Sequence, residues 1–130
     1  MKKTLKVLVC GGRDFNNEIL LSNIIDAIVP WNCLLHYDIE FVTGGAEGAD
    51  KLGKKYADNH CYSCKVFPAD WDKNGKSAGF IRNAEMANYI EHDGIVIAFW
   101  NYKSKGTEHM IRIARQKKIP VNIIYYDNGD

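Results

Sequence analysis

Three glycines fall within five residues in the run Thr43-Gly44-Gly45-Ala46-Glu47-Gly48-Ala49-Asp50. A β-rich stretch, Ile39 to Val42, leads into this run and helical spacing leaves it. Where a strand turns into a helix over glycines, backbone N–H groups at the helix start face outward. Together with the helix dipole they attract an anion, most often a phosphate. Two glycines would serve a tight turn, and a third implies close backbone approach to something. Glu47 would repel a phosphate if it turned inward, so it is expected to face solvent. Asp50 either caps its own helix or touches the ligand.

Other residues of suitable chemistry recur at the ends of other expected strands. Lys103-Ser104-Lys105-Gly106-Thr107 is a second candidate cradle, in which Ser104 or Thr107 can donate a hydroxyl and Gly106 opens a helix. The bland alternative there is a polar loop with a helix cap. Arg82 can meet a phosphate with two parallel hydrogen bonds, and Asn83 can bond a sugar hydroxyl or a base edge. Arg82 paired with a surface carboxylate is the competing reading. Gly11-Gly12-Arg13-Asp14 follows the first strand, where Arg13 and Asp14 could also pair with each other or cap a helix. Asp70 and Trp71 follow the third strand and Trp100 ends the fourth, and either Trp could stack on a base. Asp14, Asp50 and Asp70 are the loop carboxylates available for acid–base work, Asp14 and Asp70 being the catalytic candidates. Gly75-Lys76-Ser77 imitates the end of a P-loop, but Asp70 stands where that motif needs its first glycine.

The elements that must position these residues follow from periodicity. Strands are expected over Leu5–Cys10, Asp38–Val42, Cys64–Phe67, Gly94–Trp100 and Pro120–Tyr126. Helices are expected from Asn16 or Asn17 to Val29, from Glu47 to Asn59, from Ala78 to Glu91 and from Gly106 to Lys117. Ile19, Leu20, Ile24, Ile25 and Ile28 form the apolar face of the first helix; Ala49, Leu52 and Tyr56 face inward on the second. The third carries Ile81, Ala84, Ala87 and Ile90. Trp31 to Tyr37 is a connection, and Ala69 to Ser77 the longest polar loop. Strand–helix alternation predicts an α/β fold: one domain over residues 1–130, a five-stranded parallel sheet with helices on both faces. Ligands in such sheets sit beyond the carboxyl ends of the strands. Those are the places where the residues above gather. Asn128-Gly129-Asp130 is expected to fray.

Composition narrows the function classes. A formal net charge of +1 gives no bulk attraction to DNA or acidic membranes. No apolar run approaches the roughly 20 residues needed to cross a bilayer, and the cytoplasm is the expected location. Cys61 and Cys64 form a CxxC with no second ligand pair, and the motif precedes a strand rather than opening a helix. Reduced thiols are therefore expected, with neither metal nor cofactor. His36, His60, His92 and His109 show no ligand spacing.

Gly11-Gly12-Arg13-Asp14-Phe15, the Thr43–Asp50 run, Phe67-Pro68-Ala69-Asp70-Trp71, Gly79 with Arg82-Asn83 and Met86, and Gly106-Thr107 with Met110 occur in that order. The set resembles the YspA-type, circularly permuted YpsA-related branch of the SLOG superfamily, also catalogued as a domain of unknown function in bacteria and phages. The resemblance covers about Lys6 to Ile123. It implies a Rossmann-like three-layer sandwich that binds a nucleotide or a nucleotide-derived, ADP-ribose-like ligand. The residues it implicates are Gly11, Gly12, Arg13, Thr43, Gly44, Gly45, Ala46, Gly48, Asp50, Asp70, Trp71, Arg82, Asn83, Ser104, Gly106 and Thr107. A sensor or binding module is the leading function and a homodimer is compatible with it. The alternative is a hydrolase of N-glycosidic or phosphate bonds, as in the distantly similar Lonely Guy phosphoribohydrolases. Those enzymes carry a Gly-Gly-x-Gly-Thr-x-x-Glu motif. Here Lys103 and Ser104 replace its two leading glycines, and Met110 stands at the glutamate. Glu108 lies two residues early, about 200° around the helix. DNA handling, as in the related DprA proteins, fits the near-neutral charge poorly.

Overall fold

The computed structural model describes residues 2–127, so the fraying expected of Asn128 to Asp130 lies outside the described residues. Five parallel strands form one sheet: β1 (Lys3–Gly11), β2 (Tyr37–Thr43), β3 (Ser63–Val66), β4 (Gly94–Trp100) and β5 (Val121–Tyr125). Their order is β3-β2-β1-β4-β5. Five helices accompany them: α1 (Glu18–Ile28), α2 (Ala49–Asn59), α3 (Trp71–Asn74), α4 (Ala78–Ile90) and α5 (Lys105–Gln116). The result is an α/β Rossmann-like sandwich.

Strand alternation splits the core into two. Val7 and Val9 of β1 point to one face, where they pack with Leu21 and Ile25 of α1 and Tyr56 and Ala57 of α2. Leu8 and Cys10 point to the other, against Met86, Ala87 and Ile90 of α4 and Met110, Ile111 and Ala114 of α5. Val96, Ile97, Ala98 and Phe99 of β4 are all inaccessible to solvent, so this strand is buried on both faces. A strand buried on both faces has no polar side to alternate with, which is why its sequence is one apolar run.

Three local expectations change. Asp70 caps α3 by accepting from the Lys73 amide at 3.1 Å, so a helical turn breaks the expected Ala69–Ser77 loop, and Gly75 ends it at φ +57°. Trp31–Leu35 winds as a 3₁₀ turn rather than an open connection. Two helix faces are rotated. In α1, Ile19 is exposed and Leu21 is buried beside Ile25. In α4, Ile81 and Ala84 face solvent, while Ala78, Asn83 and Met86 join Ala87 and Ile90 inside. The buried face of α4 includes a polar residue, and an apolar count alone skips Asn83.

The order β3-β2-β1-β4-β5 reverses direction between β1 and β4. Loops leaving those two strands diverge to opposite faces and open a crevice at their carboxyl ends. The β1–α1 loop also meets the start of α2. The Gly12 carbonyl accepts from the Phe15 amide at 3.2 Å and the Ala49 amide at 3.3 Å. A Cβ on Gly48, where φ is +81°, would stand 2.2 Å from that carbonyl oxygen. Gly106 has open space around it and no such backbone demand. Gly48→Ala should therefore cost more than about 1 kcal/mol, whereas Gly106→Ala, in the first turn of α5, should be neutral or stabilise by up to about 1 kcal/mol. Urea unfolding of the two variants beside wild type checks this. Equal stability of Gly48→Ala and wild type would mean that the two loops can separate at no cost.

Candidate functional site

A cavity of about 590 Å³ opens at the carboxyl ends of the strands. That is within the usual range for a small-molecule site. Of the residues marked out by sequence, Gly11, Gly12, Arg13, Asp14, Ala46, Asp50, Trp71, Arg82, Asn83, Ser104, Gly106 and Thr107 line it. Thr43, Gly44, Gly45, Gly48 and Asp70 do not. Thr43 is fully buried, and Asp70 is occupied with the cap of α3.

The glycine run has its own explanation. A Cβ on Gly44 would meet the Arg82 guanidinium and the Asp50 carboxylate, and Gly45 sits at φ +75° against Val66. With Gly48 pressed on Gly12, the close backbone approach implied by three glycines is met by the protein's own groups. The residues of this loop that line the cavity are Ala46 and Asp50. Glu47 faces solvent, in an ion pair with Lys51 at 2.6 Å.

Asp50 is almost fully buried in the first turn of α2. Its carboxylate accepts from the Ala46 amide at 3.2 Å and from the Gly44 amide, so it holds the loop that precedes its own helix. Burial pushes its pKa up to about 6, against the opposing pull of those amides and of Arg82. Cys10, on the cavity floor, is held as a neutral thiol by burial first and by the Asp50 charge second.

Arg82 knits three segments. Its Nη1 donates to the Gly44 carbonyl at 2.7 Å and the Phe67 carbonyl at 3.4 Å, and its Nε donates to Asn83 Oδ1 at 3.1 Å. That bond orients the Asn83 amide. Asn83 Nδ2 then donates to the Gly106 carbonyl at 3.1 Å and to His109 Nδ1 at 3.2 Å. His109 must accept there, so its proton sits on Nε2. Burial, aided by Arg112, holds its pKa below the usual value. Among the described residues Arg82 Nη2 makes no hydrogen bond. It lies on the side of Gly79, where an added Cβ would stand 4.0 Å away.

The second cradle closes on itself. Ser104 caps α5, accepting from the Thr107 amide at 3.3 Å, and the two hydroxyls lie 2.8 Å apart. Trp100 does not line the cavity. Its Nε1 donates to the Ser104 carbonyl, and its ring borders a separate groove with Glu108, Ile111 and Tyr125. Met110 is buried in the cavity wall, so Glu108 and Met110 face different spaces. Lys76, Phe80, Asn101 and Lys103 also line the site. Lys76 and Lys103 stood within noted motifs without a role. Phe80 and Asn101 carry no local signal.

The electrostatic balance is clear. Arg13, Lys76, Arg82 and Lys103 face Asp14 and Asp50 across one cavity, and half-exposed Trp71 and Phe80 offer flat faces beside them. Anions with an aromatic part suit such a lining. No group of three or more metal-ligating side chains occurs among the described residues. Cys10, Cys33, Cys61 and Cys64 are free thiols, and among the described residues no helix is long and apolar enough to cross a membrane.

A buried Asp50 has a consequence for stability. The native state holds the proton up to about pH 6, while the unfolded chain releases it near pH 4. Native protein binds more protons between these values, so stability from this group falls as pH rises from about 4 to 6. At ~1.4 kcal/mol per unit, about 3 kcal/mol is lost. Urea unfolding at pH 4 and pH 7 should show wild type losing about that much relative to Asp50→Asn. A pH-independent difference would mean that Asp50 titrates in the native state as it does in the unfolded chain.

A model of the YspA, cpYpsA-related SLOG family matches residues 5–74, more than half of the chain. The "Gene 61 protein" of Mycobacterium phage D29 is 31% identical over 121 residues, which span 89% of this chain and 93% of that protein. No solved structure matches. The matched segment carries the Gly11–Phe15 loop and the whole Thr43–Asp50 run, and on these grounds the chain belongs to the YspA, cpYpsA-related SLOG family.

Proposed function

We propose that the protein binds a phosphorylated nucleoside or a nucleotide-derived, ADP-ribose-like ligand in the cavity at the β1–β4 switch point. The observation that carries this is four cationic side chains and two aromatic faces converging on one nucleotide-sized space. Arg82 is the principal phosphate partner, through Nη2. Its other nitrogens are spent on Gly44, Phe67 and Asn83, which hold the guanidinium rigid. A preorganised guanidinium loses little entropy on binding. Lys76 and Lys103 add charge from the rim, and Trp71 or Phe80 takes the base. Asn83 is a positioning residue for Arg82, because its amide is engaged within the protein. The role is that of a sensor or carrier in the cytoplasm, with no membrane or nucleic-acid partner.

A hydrolytic reading has one observation in its favour. Asp50 is a cavity-lining carboxyl with a pKa near 6, which is in the range useful to a general acid or base. Against it, Asp50 is tied to two backbone amides, and Met110 occupies the position at which the similar phosphoribohydrolases place a glutamate. Met110 can neither move a proton nor carry charge.

Two measurements test the binding reading. Calorimetric titration with AMP and adenosine should show Arg82→Ala weakening AMP by roughly ten- to a hundredfold, since charge-assisted bonds contribute about 1.5–3 kcal/mol. Adenosine should change by less than about threefold. Lys76→Ala, which removes no bond within the described residues, should weaken AMP in the same sense by a smaller factor. Equal losses for AMP and adenosine in both variants would leave phosphate recognition without support. Chromatography of AMP, GMP, CMP and UMP incubated with the protein should show base release far below the ~1 s⁻¹ of an ordinary enzyme. Turnover at that rate, abolished by Asp50→Asn or Asp14→Asn, would replace the binding module with a hydrolase.

A further inference from the structure

The sheet ends on one side at β5, and among the described residues no strand lies beyond it. Alternation decides which of its peptide groups face outward. The Pro120 carbonyl accepts from the Val96 amide, and the Tyr126 amide donates to the Trp100 carbonyl. Even-numbered residues thus direct their peptide groups at β4, and those of Val121, Ile123 and Tyr125 point away from the sheet. The opposite edge is guarded, since β3 is four residues long and carries Lys65. β5 reads Val-Asn-Ile-Ile-Tyr and has neither a charge nor a proline. Natural sheets blunt their exposed edges with such residues, and an edge without them is a template for a further strand.

The surface beside that edge is apolar and aromatic. A groove of about 450 Å³ between α5 and β5 is lined by Trp100, Ile111, Ile123 and Tyr125. Tyr102 stacks on Tyr125 with ring centroids 4.6 Å apart, and both rings are more than half exposed. The exposed side chains of Glu108, Arg112 and Arg115 border the groove along α5. Tyrosine and arginine are the side chains in which protein interfaces are enriched. Among the described residues Arg115 has no ion-pair partner, and Arg112 approaches Glu108 only to 3.9 Å.

This edge is complementary to itself. Two β5 strands paired antiparallel about a two-fold axis at Ile123 place Val121 of each copy opposite Tyr125 of the other. All three facing pairs then use the outward peptide groups. Helix α5 runs antiparallel to β5, so the axis reverses the order Glu108, Arg112, Arg115 along the second helix. Glu108 of each copy then faces Arg115 of the other. Arg112 falls near the axis, where Glu108 of its own helix offsets its charge. Three strand spacings carry β4 of one copy to β4 of the other, about 14 Å, a span that an arginine and a glutamate on the overlying helices close together. We propose that β5 and the α5 groove form the interface of a homodimer, in which two sheets join edge to edge and Glu108 of each copy pairs with Arg115 of the other. Such pairing is independent of what the cavity binds.

Sedimentation velocity of the intact chain, with circular dichroism as a check on folding, tests the interface over roughly 5–200 μM, where weak to moderate dimers dissociate. Wild type should sediment as a dimer in the upper part of that range. Glu108→Arg and Arg115→Glu should each weaken dimerisation about tenfold or more, by setting like charges face to face. An equimolar mixture of the two variants should regain the dimer, because both cross-contacts are then opposite in charge. As wild type associates, amide hydrogen exchange should slow at Val121, Ile123 and Tyr125 and stay unchanged at Asn122 and Ile124. A wild type that remains monomeric throughout overturns the proposal. So does a dimer that neither reversal weakens, which uses another surface. Variants that each weaken the dimer but do not restore it when mixed overturn the antiparallel pairing, as does a dimer whose three outward amides exchange as fast as in the monomer.

Discussion

Burying a carboxylate is expensive, and Asp50 is where this protein meets that expense. A charge taken out of water must find donors or give up its ionisation. Asp50 does some of each: its pKa rises to about 6, and it draws in the Ala46 and Gly44 amides. Those amides lie in the β2–α2 loop, so satisfying the carboxylate sets the path of that loop. The Gly44 carbonyl is thereby aimed at Arg82, whose remaining contacts fix Phe67 and Asn83, and Asn83 reaches the first turn of α5. One buried acid thus couples the loops of β2, β3 and β4 through a chain of named hydrogen bonds. The β1 loop joins separately, through the contact of Gly12 with Gly48 and Ala49.

This coupling alters what the glycine-rich run does. Its composition invites the picture of a phosphate cradle, with bare backbone facing a ligand. In the folded protein the backbone of Gly44, Gly45 and Gly48 faces Arg82, Val66 and the β1 loop. The glycines of this run let protein segments approach one another, and the charged groups that reach the cavity are side chains. On the proposed reading, anion recognition depends on Arg82, Lys76, Lys103 and Arg13, which line the cavity, more than on amides at a helix start. Guanidinium and ammonium groups follow salt and charge substitution closely, whereas a backbone cradle follows loop shape.

Much of this was legible in the chain. Each strand is a compact apolar run bounded by Gly, Pro or polar residues, and alternation with helices leaves few topologies for a parallel sheet. That the cavity lies at the strand carboxyl ends follows from topology, and twelve of the seventeen residues implicated in ligand binding or as catalytic candidates line it. What local reading missed depends on partners distant in sequence. Asn83 looks like a ligand group until Arg82 and His109 claim its amide. Trp100 and Trp71 look equivalent, yet one lies in the groove of α5 and β5 and the other on the cavity. Tyr126 stands 112 residues from Asp14, the aspartate to which its hydroxyl donates. Asp70 misleads in the opposite way, because a cap and a site residue share the same composition until the Lys73 amide is placed.

The central claim is that a nucleotide occupies the cavity over the β1–β4 switch point. An amide-resolved nuclear magnetic resonance titration of the intact chain with AMP and ADP-ribose tests it most directly. The account predicts saturable shifts at Arg13, Ala46, Gly79, Asn101 and Gly106, which come from the segments that follow β1, β2, β3 and β4 around one cavity. Shifts confined to the groove of Trp100, Ile111 and Tyr125, or no saturable shift with either ligand, would contradict it.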